Sequence, residues 1–532
     1  MQLTERQRQL GIVLDRLGAA QWQQTEAACT RILAKDSIDV EALFLLGLSV
    51  AARGQIQRAA AILDRVARER PNEAHPCGDL PALLPRFSRD QIAAQYRACL
   101  KLAPEDLRLR HAFAAFLQEG GEPEAAVVLL HEGLTLLPRS APAQHAMGLA
   151  LAELGQNQQA ILHFQRAVEL EPNLAPSWAN LGLLLKVERQ FDRSLAAYAR
   201  AVAEAPTDAQ IRVNRAVALL QAGRWEEAWP EYEWRLRVKG AVSLPLDFLL
   251  PALREVGDMA GRTILLTHEE GFGDTLQFLR YAPLLAQRGA RVLAWVPAPL
   301  LRVVRSVGGI DTVFTGDGAP PPFDYHCPFV SLPRAFESTI ATVPAQTYLA
   351  ADPTLAAAWG RRLPPAAMRV GLAWAGQARP WLPGFSTVDR RRSAGLATLA
   401  PLAAVSGVAF VSLQKGPPQE QVQSSPERMT LFDPMAEVED FADTAAVIAN
   451  LDLVVSVDTA VVHLAGAMGK PVFLLDRYDN CWRWLSGRAD SPWYPNLTIF
   501  RQDAMGDWSA PMARAVAALR AIAAYRGIGT DG

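Results

Sequence analysis

The feature that most constrains this chain is a period of 34 residues in its first half. Prolines recur at that interval, and glycines recur at the same interval between them, with an arginine at one glycine position. The prolines are Pro104, Pro138, Pro172 and Pro206, the glycines are Gly121, Gly155 and Gly223, and the arginine is Arg189. A fixed period of this length is typical of a repeat array, in which each unit buries its apolar face only against its neighbours.

Each repeat unit is predicted to be a pair of antiparallel helices. In the clearest unit, 141–174, small residues lie where the helices would cross closely, and Phe164 fills the adjoining space. Proline ends the second helix because it cannot continue the hydrogen-bond ladder. These residues and this spacing resemble the tetratricopeptide repeat, with six to seven units over about residues 5–238. The unit at 74–106 is expected to be irregular, since "HPCGDLPALLPRFSRD" disturbs its first helix.

The repeat array leaves two interpretations open. It could be a structural spacer, or it could form a concave groove that holds a protein or peptide partner. The repeats by themselves do not decide between these roles.

Composition excludes some classes of function. The chain has 53 basic and 55 acidic residues, whereas a dedicated nucleic-acid binder usually has a clear basic excess. No apolar run reaches the roughly 20 residues of a transmembrane helix. The five cysteines are scattered without a C-x-x-C pair, which favours free thiols in a reducing, cytoplasmic setting over a disulfide framework or a zinc site.

The second half of the chain has a different pattern, in which short apolar strands alternate with helices. Strands are predicted at 263–267, 291–295, 452–457 and 471–475, and helices at 274–287, about 396–405, 438–449 and 459–468. Such alternation predicts parallel sheets, and two such runs predict two Rossmann-like lobes facing a cleft. The predicted organisation is a repeat array at 1–238, a linker at 239–261, lobes at 262–352 and 367–505, and a terminal helix at 509–526.

The stretch "EEGFGDTLQF" is predicted to be a strand-to-helix turn in the first lobe. Gly271 and Gly273 would allow close backbone approach or a positive φ. Asp274 would begin the helix, with Gln277 one turn further on the same face. Asp274 could simply cap backbone N–H groups, or it could be a general base in the cleft, and the spacing alone favours the cap.

The stretch "SVDTAVVHLAGAMGKP" has the same geometry in the second lobe. Asp458 and Thr459 follow the strand at a predicted helix N-terminus, where free N–H groups and the helix dipole favour an anion. His463 lies one turn beyond Thr459 on the same face. A single histidine on an apolar helix is more often a core residue than a ligand contact. The position of His463 after a polar strand end, however, favours a role in ligand binding.

Further cations and aromatics follow other strands. Arg391 and Arg392 lie in a predicted loop after Trp374, and Lys415 ends another strand. These cations could be solvated, or they could bind a diphosphate, for which guanidinium groups are well suited. The aromatic group near the end of the second lobe is predicted mainly to fill the core; it consists of Trp482, Trp484, Trp493 and Tyr494.

Taken together, "HEEGFGDTLQFLRY", "DRRRS", "VSLQKG" and "SVDTAVVHLAGAMGKPV…WRWL" resemble a known bacterial class. These proteins carry tetratricopeptide repeats and a C-terminal domain similar to glycosyltransferase family 9, the ADP-heptose:lipopolysaccharide heptosyltransferases. The layout is also similar to that of protein O-GlcNAc transferases. The resemblance implies a two-lobe (GT-B) transferase that inverts the configuration at the anomeric carbon of the sugar and needs no metal or other cofactor.

The resemblance also implies roles for individual residues. Asp274 matches the catalytic base. The residues of the loop around it are assigned to the acceptor side for that reason: Glu270, Gly271, Gly273 and Gln277. On the donor side, Asp458, Thr459 and His463 match the region that binds the diphosphate and ribose, and Arg391 and Arg392 match a basic loop. Lys415 and Trp374 are assigned to the donor side from their positions at strand ends. Family members place a phosphate-binding lysine near the position of the two arginines.

Two hypotheses follow. The first is a cytoplasmic glycosyltransferase that moves a sugar from a nucleotide-diphosphate donor to a protein or glycan presented by the repeats. The second is a non-catalytic repeat scaffold whose transferase-like domain binds a nucleotide or sugar and mediates protein–protein interaction. A phosphorylase or epimerase on the same two-lobe fold is a third possibility, for which no catalytic pair is evident in the sequence.

Overall fold

The computed structural model describes residues 4–19, 21–55, 58–59, 61–62, 65–66, 88–102, 104–238, 244–269, 271–316, 318–377, 385–426 and 429–528 of the 532-residue chain. Residues 74–87, the first part of the irregular repeat expected at 74–106, lie outside these residues. The chain divides into two compact units. The first is Met1–Leu185 with Arg200–Pro206, and the second is Lys186–Ala199 with Thr207–Gly532.

The first half is helical, as the period predicts. Its helices include α1 (Glu5–Gly18), α2 (Trp22–Leu33), α3 (Val40–Ala52), α4 (Arg89–Leu102), α5 (Leu107–Glu119), α6 (Pro123–Leu136), α7 (Ala141–Glu153), α8 (Asn157–Leu170), α9 (Ala175–Val187), α10 (Phe191–Glu204), α11 (Ala209–Gln221) and α12 (Trp225–Tyr232). In four units the second helix ends two residues before the periodic proline, which confirms the proline as its terminator.

Local chemistry explains where the repeat helices begin and how closely they pack. Asp39, Asp106 and Ser140 each accept a backbone N–H three residues ahead, as N-cap side chains do. Gly148 lies against Phe164, where a Cβ would come within 2.8 Å of the ring. This contact confirms that a small residue lies at the crossing of α7 and α8 and that an aromatic ring fills the space beside it.

The second half contains two parallel sheets. The first consists of β1 (Thr263–Thr267), β2 (Arg291–Trp295), β3 (Thr312–Phe314) and β4 (Tyr325–Pro328), in the order β3-β2-β1-β4. The second consists of β5 (Met368–Ala373), β6 (Val408–Ser412), β7 (Leu431–Phe432), β8 (Leu453–Val457), β9 (Val472–Asp476) and β10 (Leu497–Arg501), in the order β10-β9-β8-β5-β6-β7. All pairings are parallel, as the alternation of strands and helices predicts.

Helices connect these strands. They are α13 (Leu253–Val256), α14 (Phe272–Phe278), α15 (Ala282–Gln287), α16 (Leu301–Arg305), α17 (Leu332–Ala335), α18 (Pro353–Gly360), α19 (Phe385–Arg392), α20 (Phe441–Ala449), α21 (Ala460–Ala467) and α22 (Ser509–Tyr525). No helix in the described ranges combines the length and apolar character that crossing a membrane requires.

Three local predictions need correction. The helix expected at 274–287 begins at Phe272 and is interrupted by a 3-10 turn at Leu279–Tyr281, because Pro283 has no N–H for the ladder. The segment expected as a helix at about 396–405 is a 3-10 helix, Leu396–Ala404, with Pro401 inside. The arginines expected in a loop belong to the last turn of α19.

The last repeat shares its core with the α/β part of the second unit. Trp225 is buried and stacks on Trp493, with ring centroids 4.8 Å apart. Trp229 packs edge-on against Trp482 at 5.7 Å, and its Nε1 donates to the carbonyl of Ser338 at 2.8 Å. The sequence predicts the repeats as a separate domain up to residue 238, whereas α11 and α12 group with the sheets.

We expect Trp225→Ala to lower the free energy of unfolding of the α/β part by about 3–5 kcal/mol, because it leaves a large cavity in a shared core. Chemical denaturation followed by tryptophan fluorescence measures this change. Trp178→Ala is the control, since Trp178 is half-buried in the preceding repeat. An equal effect of the two substitutions would contradict a shared core.

Candidate functional site

Two strand-to-helix turns meet at the carboxyl edges of the two sheets. The first runs from the end of β1 to α14, and the second runs from the end of β8 to α21. The helices approach so closely at Gly273 that a Cβ there would lie 2.8 Å from Cδ2 of His463 and 3.5 Å from the Cα of Ala460. The two stretches singled out in the sequence are therefore neighbours in the fold, at the edge where parallel sheets bind ligands.

Asp274 is the third residue of α14, not its cap. Gly271 is the N-cap, and its N–H donates to Oδ2 of Asp274 at 3.1 Å. The other oxygen, Oδ1, forms an ion pair with Nη2 of Arg483. The carboxylate thus stabilises the start of the helix from its third position, whereas the sequence predicted it as the cap residue itself. It also contacts a cation from the segment after β9.

Arg483 is the functional candidate that sequence reasoning missed. Besides its ion pair with Asp274, it donates from Nε to Oε1 of Gln277 at 3.0 Å and from Nη1 to Sγ of Cys481 at 3.2 Å. Its guanidinium also lies 4.3 Å from the ring centroid of Trp482. A charged residue inside the apolar stretch "WRWL" was the available signal, because a charge between two buried tryptophans needs a partner.

His463 is buried and neutral. Nδ1 lies 3.0 Å from the hydroxyl of Tyr494, and the ring stacks on Trp484 with centroids 5.3 Å apart. Burial, with a further contribution from the charge of Arg483, lowers the pKa of His463 to about 3. The imidazole therefore forms part of the core directly beneath α14, where only glycine at position 273 leaves it room.

Asp458 and Thr459 lie at the start of α21, as predicted. Thr459 is the N-cap residue, and its Oγ1 lies 3.1 Å from Oγ of Ser456. The carbonyl of Asp458 accepts from Nη1 of Arg392 at 3.3 Å. Both residues are partly exposed, and α21 begins directly after them without a side-chain cap.

The predicted arginines reach this same edge. Arg391 pairs with Asp479 at 3.2 Å, and Arg392 pairs with Asp389 at 2.8 Å. Arg392 also donates from Nη2 to the carbonyl of Gln377 at 3.3 Å. The end of α19 therefore places two guanidinium groups beside the residues that follow β8 and β9.

Two residues predicted on the donor side, Trp374 and Lys415, have structural contacts instead. The indole of Trp374 is 0% exposed in the core of the second sheet, so it presents no face to a ligand. The backbone N–H groups of Trp374 and Ala375 donate to Oε1 of Gln414 instead. Lys415 is exposed, but its ammonium donates to the carbonyls of Met435, at 2.8 Å, and of Val438. Lys415 therefore holds the loop that contains Met435 and Val438.

The residues predicted on the acceptor side also have mainly structural contacts. Neither Gly271 nor Gly273 has a positive φ, so close approach is what requires glycine at position 273. Gln277 is fully buried, and its Nε2 finds no partner among the described residues. Glu270 lies outside the described residues.

We expect Gly273→Ala to lower the free energy of unfolding by about 1–3 kcal/mol, since the added methyl group overlaps the imidazole of His463 and forces α14 and α21 apart. Gly308→Ala is the matched control, because its Cβ would have no described atom within 4 Å. Thermal and chemical denaturation of both variants measure the difference. Equal stability of the two variants would refute the close approach.

The buried imidazole also predicts a pH dependence. In the unfolded chain His463 takes up a proton near pH 6.5, whereas the folded pKa is about 3. Between these values only the unfolded state binds the proton, so the free energy of unfolding falls as pH falls through this window. His463→Gln should remove that contribution, and urea titrations at several pH values measure it.

Asp476 supplies an internal control of opposite sign. Burial raises its pKa to about 6, although Arg501 opposes the shift, so its contribution to stability is lost as pH rises through that value. The slope of stability against pH should flatten in His463→Gln and steepen in Asp476→Asn. An unchanged slope in His463→Gln would contradict a neutral buried imidazole.

Comparisons with known proteins agree with this description. Tetratricopeptide-repeat models match residues 10–74, 141–174 and 179–233, and the model "Glycosyltransferase family 9 (heptosyltransferase)" matches residues 429–507. The last match contains Asp458, Thr459, His463 and Arg483. The chain is therefore a repeat protein joined to an α/β domain of the transferase class. More specifically, the chain carries tetratricopeptide repeats in its first half and, near its C-terminal end, a segment that matches glycosyltransferase family 9.

Individual relatives are more distant. Protein FlbA of Caulobacter vibrioides (strain ATCC 19089 / CIP 103742 / CB 15) is 29% identical over 349 residues, which cover 60% of this chain and 56% of FlbA. The match thus spans about half the length of that relative. A glycosyl transferase family 9 structure from Veillonella parvula DSM 2008 is 12% identical, covers 46% of this chain and 87% of its own, and has a TM-score of 0.36. A crystal structure of MamA is 23% identical, with coverage of 30% and 92% and a TM-score of 0.27.

Proposed function

We propose that this chain is a metal-independent inverting glycosyltransferase of the two-lobe GT-B type. It moves a sugar from a nucleotide-diphosphate donor to a hydroxyl group of a protein or glycan acceptor. The observation that carries the proposal is the contact of α14 with α21, in which Gly273, the neighbour of Asp274, lies against Ala460, the residue after Thr459. The match of 429–507 to the glycosyltransferase family supports it.

The donor diphosphate is proposed to bind at the start of α21. Free backbone N–H groups and the helix dipole favour an anion there, and the hydroxyl of Thr459 would add a donor if it released its contact with Ser456. Arg391 and Arg392 lie at the same edge, and guanidinium groups suit phosphate oxygens. Together they would neutralise the departing diphosphate, which is the task that a metal ion performs in other transferases.

Asp274 is proposed to accept the proton of the attacking hydroxyl. Each carboxylate oxygen has one described partner, Arg483 at Oδ1 and the Gly271 N–H at Oδ2, which leaves a further lone pair on each. The side chain is 14% exposed, so a hydroxyl group can reach it from the cleft. Arg483 balances its charge in a site largely withdrawn from water.

The other predicted residues take supporting roles in this proposal. His463 packs against the helix that carries Asp274, and Gln277 of that same helix accepts from Arg483. Lys415 and Trp374 shape the donor lobe through the contacts described above. The repeats are proposed to present the acceptor. Leu149 and Leu183 support this role, because they occupy equivalent positions of α7 and α9 and both are exposed.

We expect Asp274→Asn to reduce sugar transfer by about 100-fold or more, because the amide cannot take the proton. Donor binding should persist, since the phosphate-binding groups are untouched. A thermal-shift panel of ADP-, UDP-, GDP- and dTDP-linked sugars first identifies the donor, which stabilises the folded chain by mass action. Transfer and calorimetric binding are then measured on the same protein.

Asp311→Asn is the matched control, because Asp311 is an exposed carboxylate paired with Arg291 away from the cleft. Unchanged turnover in Asp274→Asn would remove that residue as the base. A wild-type chain that binds a nucleotide sugar but never transfers it would favour the non-catalytic scaffold.

A further inference from the structure

One repeat departs from the sequence grid at the position where a glycine is expected. The inter-helix turns of its neighbours use a positive φ, of 77° at Gly121, 71° at Gly155 and 80° at Gly223. Arg189 occupies the same place in its own unit and adopts a φ of 59°. The left-handed region is unfavourable for a residue with a Cβ, so the arginine is kept at a cost in backbone strain.

The side chain of Arg189 explains what it provides in return. Its Nη2 donates to the carbonyl of Tyr478 at 2.8 Å and to the carbonyl of Gln502 at 3.3 Å, and its Nε donates to Tyr478 at 3.3 Å. The guanidinium also lies 4.1 Å from the centroid of the Tyr478 ring. A glycine could make none of these contacts.

The segment that Arg189 holds follows β9 at the carboxyl edge of the second sheet. Asp479, which directly follows Tyr478, pairs with Arg391 at 3.2 Å. Asn480 is held by Gln221 of the last repeat, whose Nε2 donates to its side-chain oxygen at 2.7 Å and to its carbonyl at 3.1 Å. Two repeats therefore hold Tyr478 and Asn480, the two neighbours of Asp479, beside the proposed diphosphate site.

We propose that Arg189 is a positioning residue for sugar transfer. It anchors the segment 478–480 so that Asp479 aims the guanidinium of Arg391 at the donor diphosphate. The catalytic part of this inference rests on the proposed function, whereas the anchoring part rests only on the contacts of Arg189. The strain at position 189 persists because the arginine side chain is needed at the donor site, where the ordinary repeat glycine would leave the segment loose.

The decisive variant is Arg189→Gly in the full chain, which restores the repeat consensus and relieves the strained φ, so it should fold. Hydrogen exchange of the peptide covering 476–486 should become faster. The KM for the donor should rise about tenfold, because the lost support is expected to weaken donor binding by about as much as one charge-assisted hydrogen bond. The kcat should stay unchanged. Arg189→Lys should recover part of the loss, because an ammonium can still donate to Tyr478.

Arg193→Ala is the matched control, since Arg193 lies on α10 and its described contact is with Gln190. It should change neither exchange nor KM. Unchanged exchange in Arg189→Gly would overturn the anchoring, whether or not the chain transfers any sugar. Faster exchange with an unchanged donor KM would overturn the positioning role while leaving the proposed transferase activity intact.

Discussion

The buried ion pair between Arg483 and Asp274 is the interaction on which the arrangement of the two sheets depends. Arg483 follows β9 in the second sheet, whereas Asp274 and Gln277 belong to the helix after β1 in the first. A buried guanidinium is tolerated only when its partners remain in place, because an unpaired charge away from water is costly. The pair therefore joins the two carboxyl edges and holds the Asp274 carboxylate in place.

The last repeat contributes to the same core. A terminal repeat normally needs a polar outer face to stay soluble, but α12 instead presents Trp225 and Trp229 to the aromatic cluster that contains Trp482 and Trp493. Arg235, just after α12, adds a buried ion pair with Glu269 at 2.8 Å. A boundary at residue 238, which the repeat period suggests, would thus separate residues that share one core.

Sequence patterns could predict what depends on spacing, and could not predict what depends on tertiary packing. The 34-residue period and the strand alternation follow from local rules, so the helices, the parallel sheets and the juxtaposition of the two strand-to-helix turns were within reach. Arg483 was not, because its role appears only when two distant segments meet. Trp374 and Lys415 were assigned to the donor from strand-end positions alone, but the first is buried in the core and the second binds backbone carbonyls.

The segment 477–485 unites these observations. It receives Arg189 and Gln221 from the repeats, packs Trp482 against Trp229, and carries Asp479 and Arg483 towards the two sides of the proposed site. Stabilisation of a departing diphosphate requires charges that are already oriented before reaction, since reorganising them costs activation free energy. The repeats therefore do more than extend the chain: their last two units supply the rigid support that holds these charges in place.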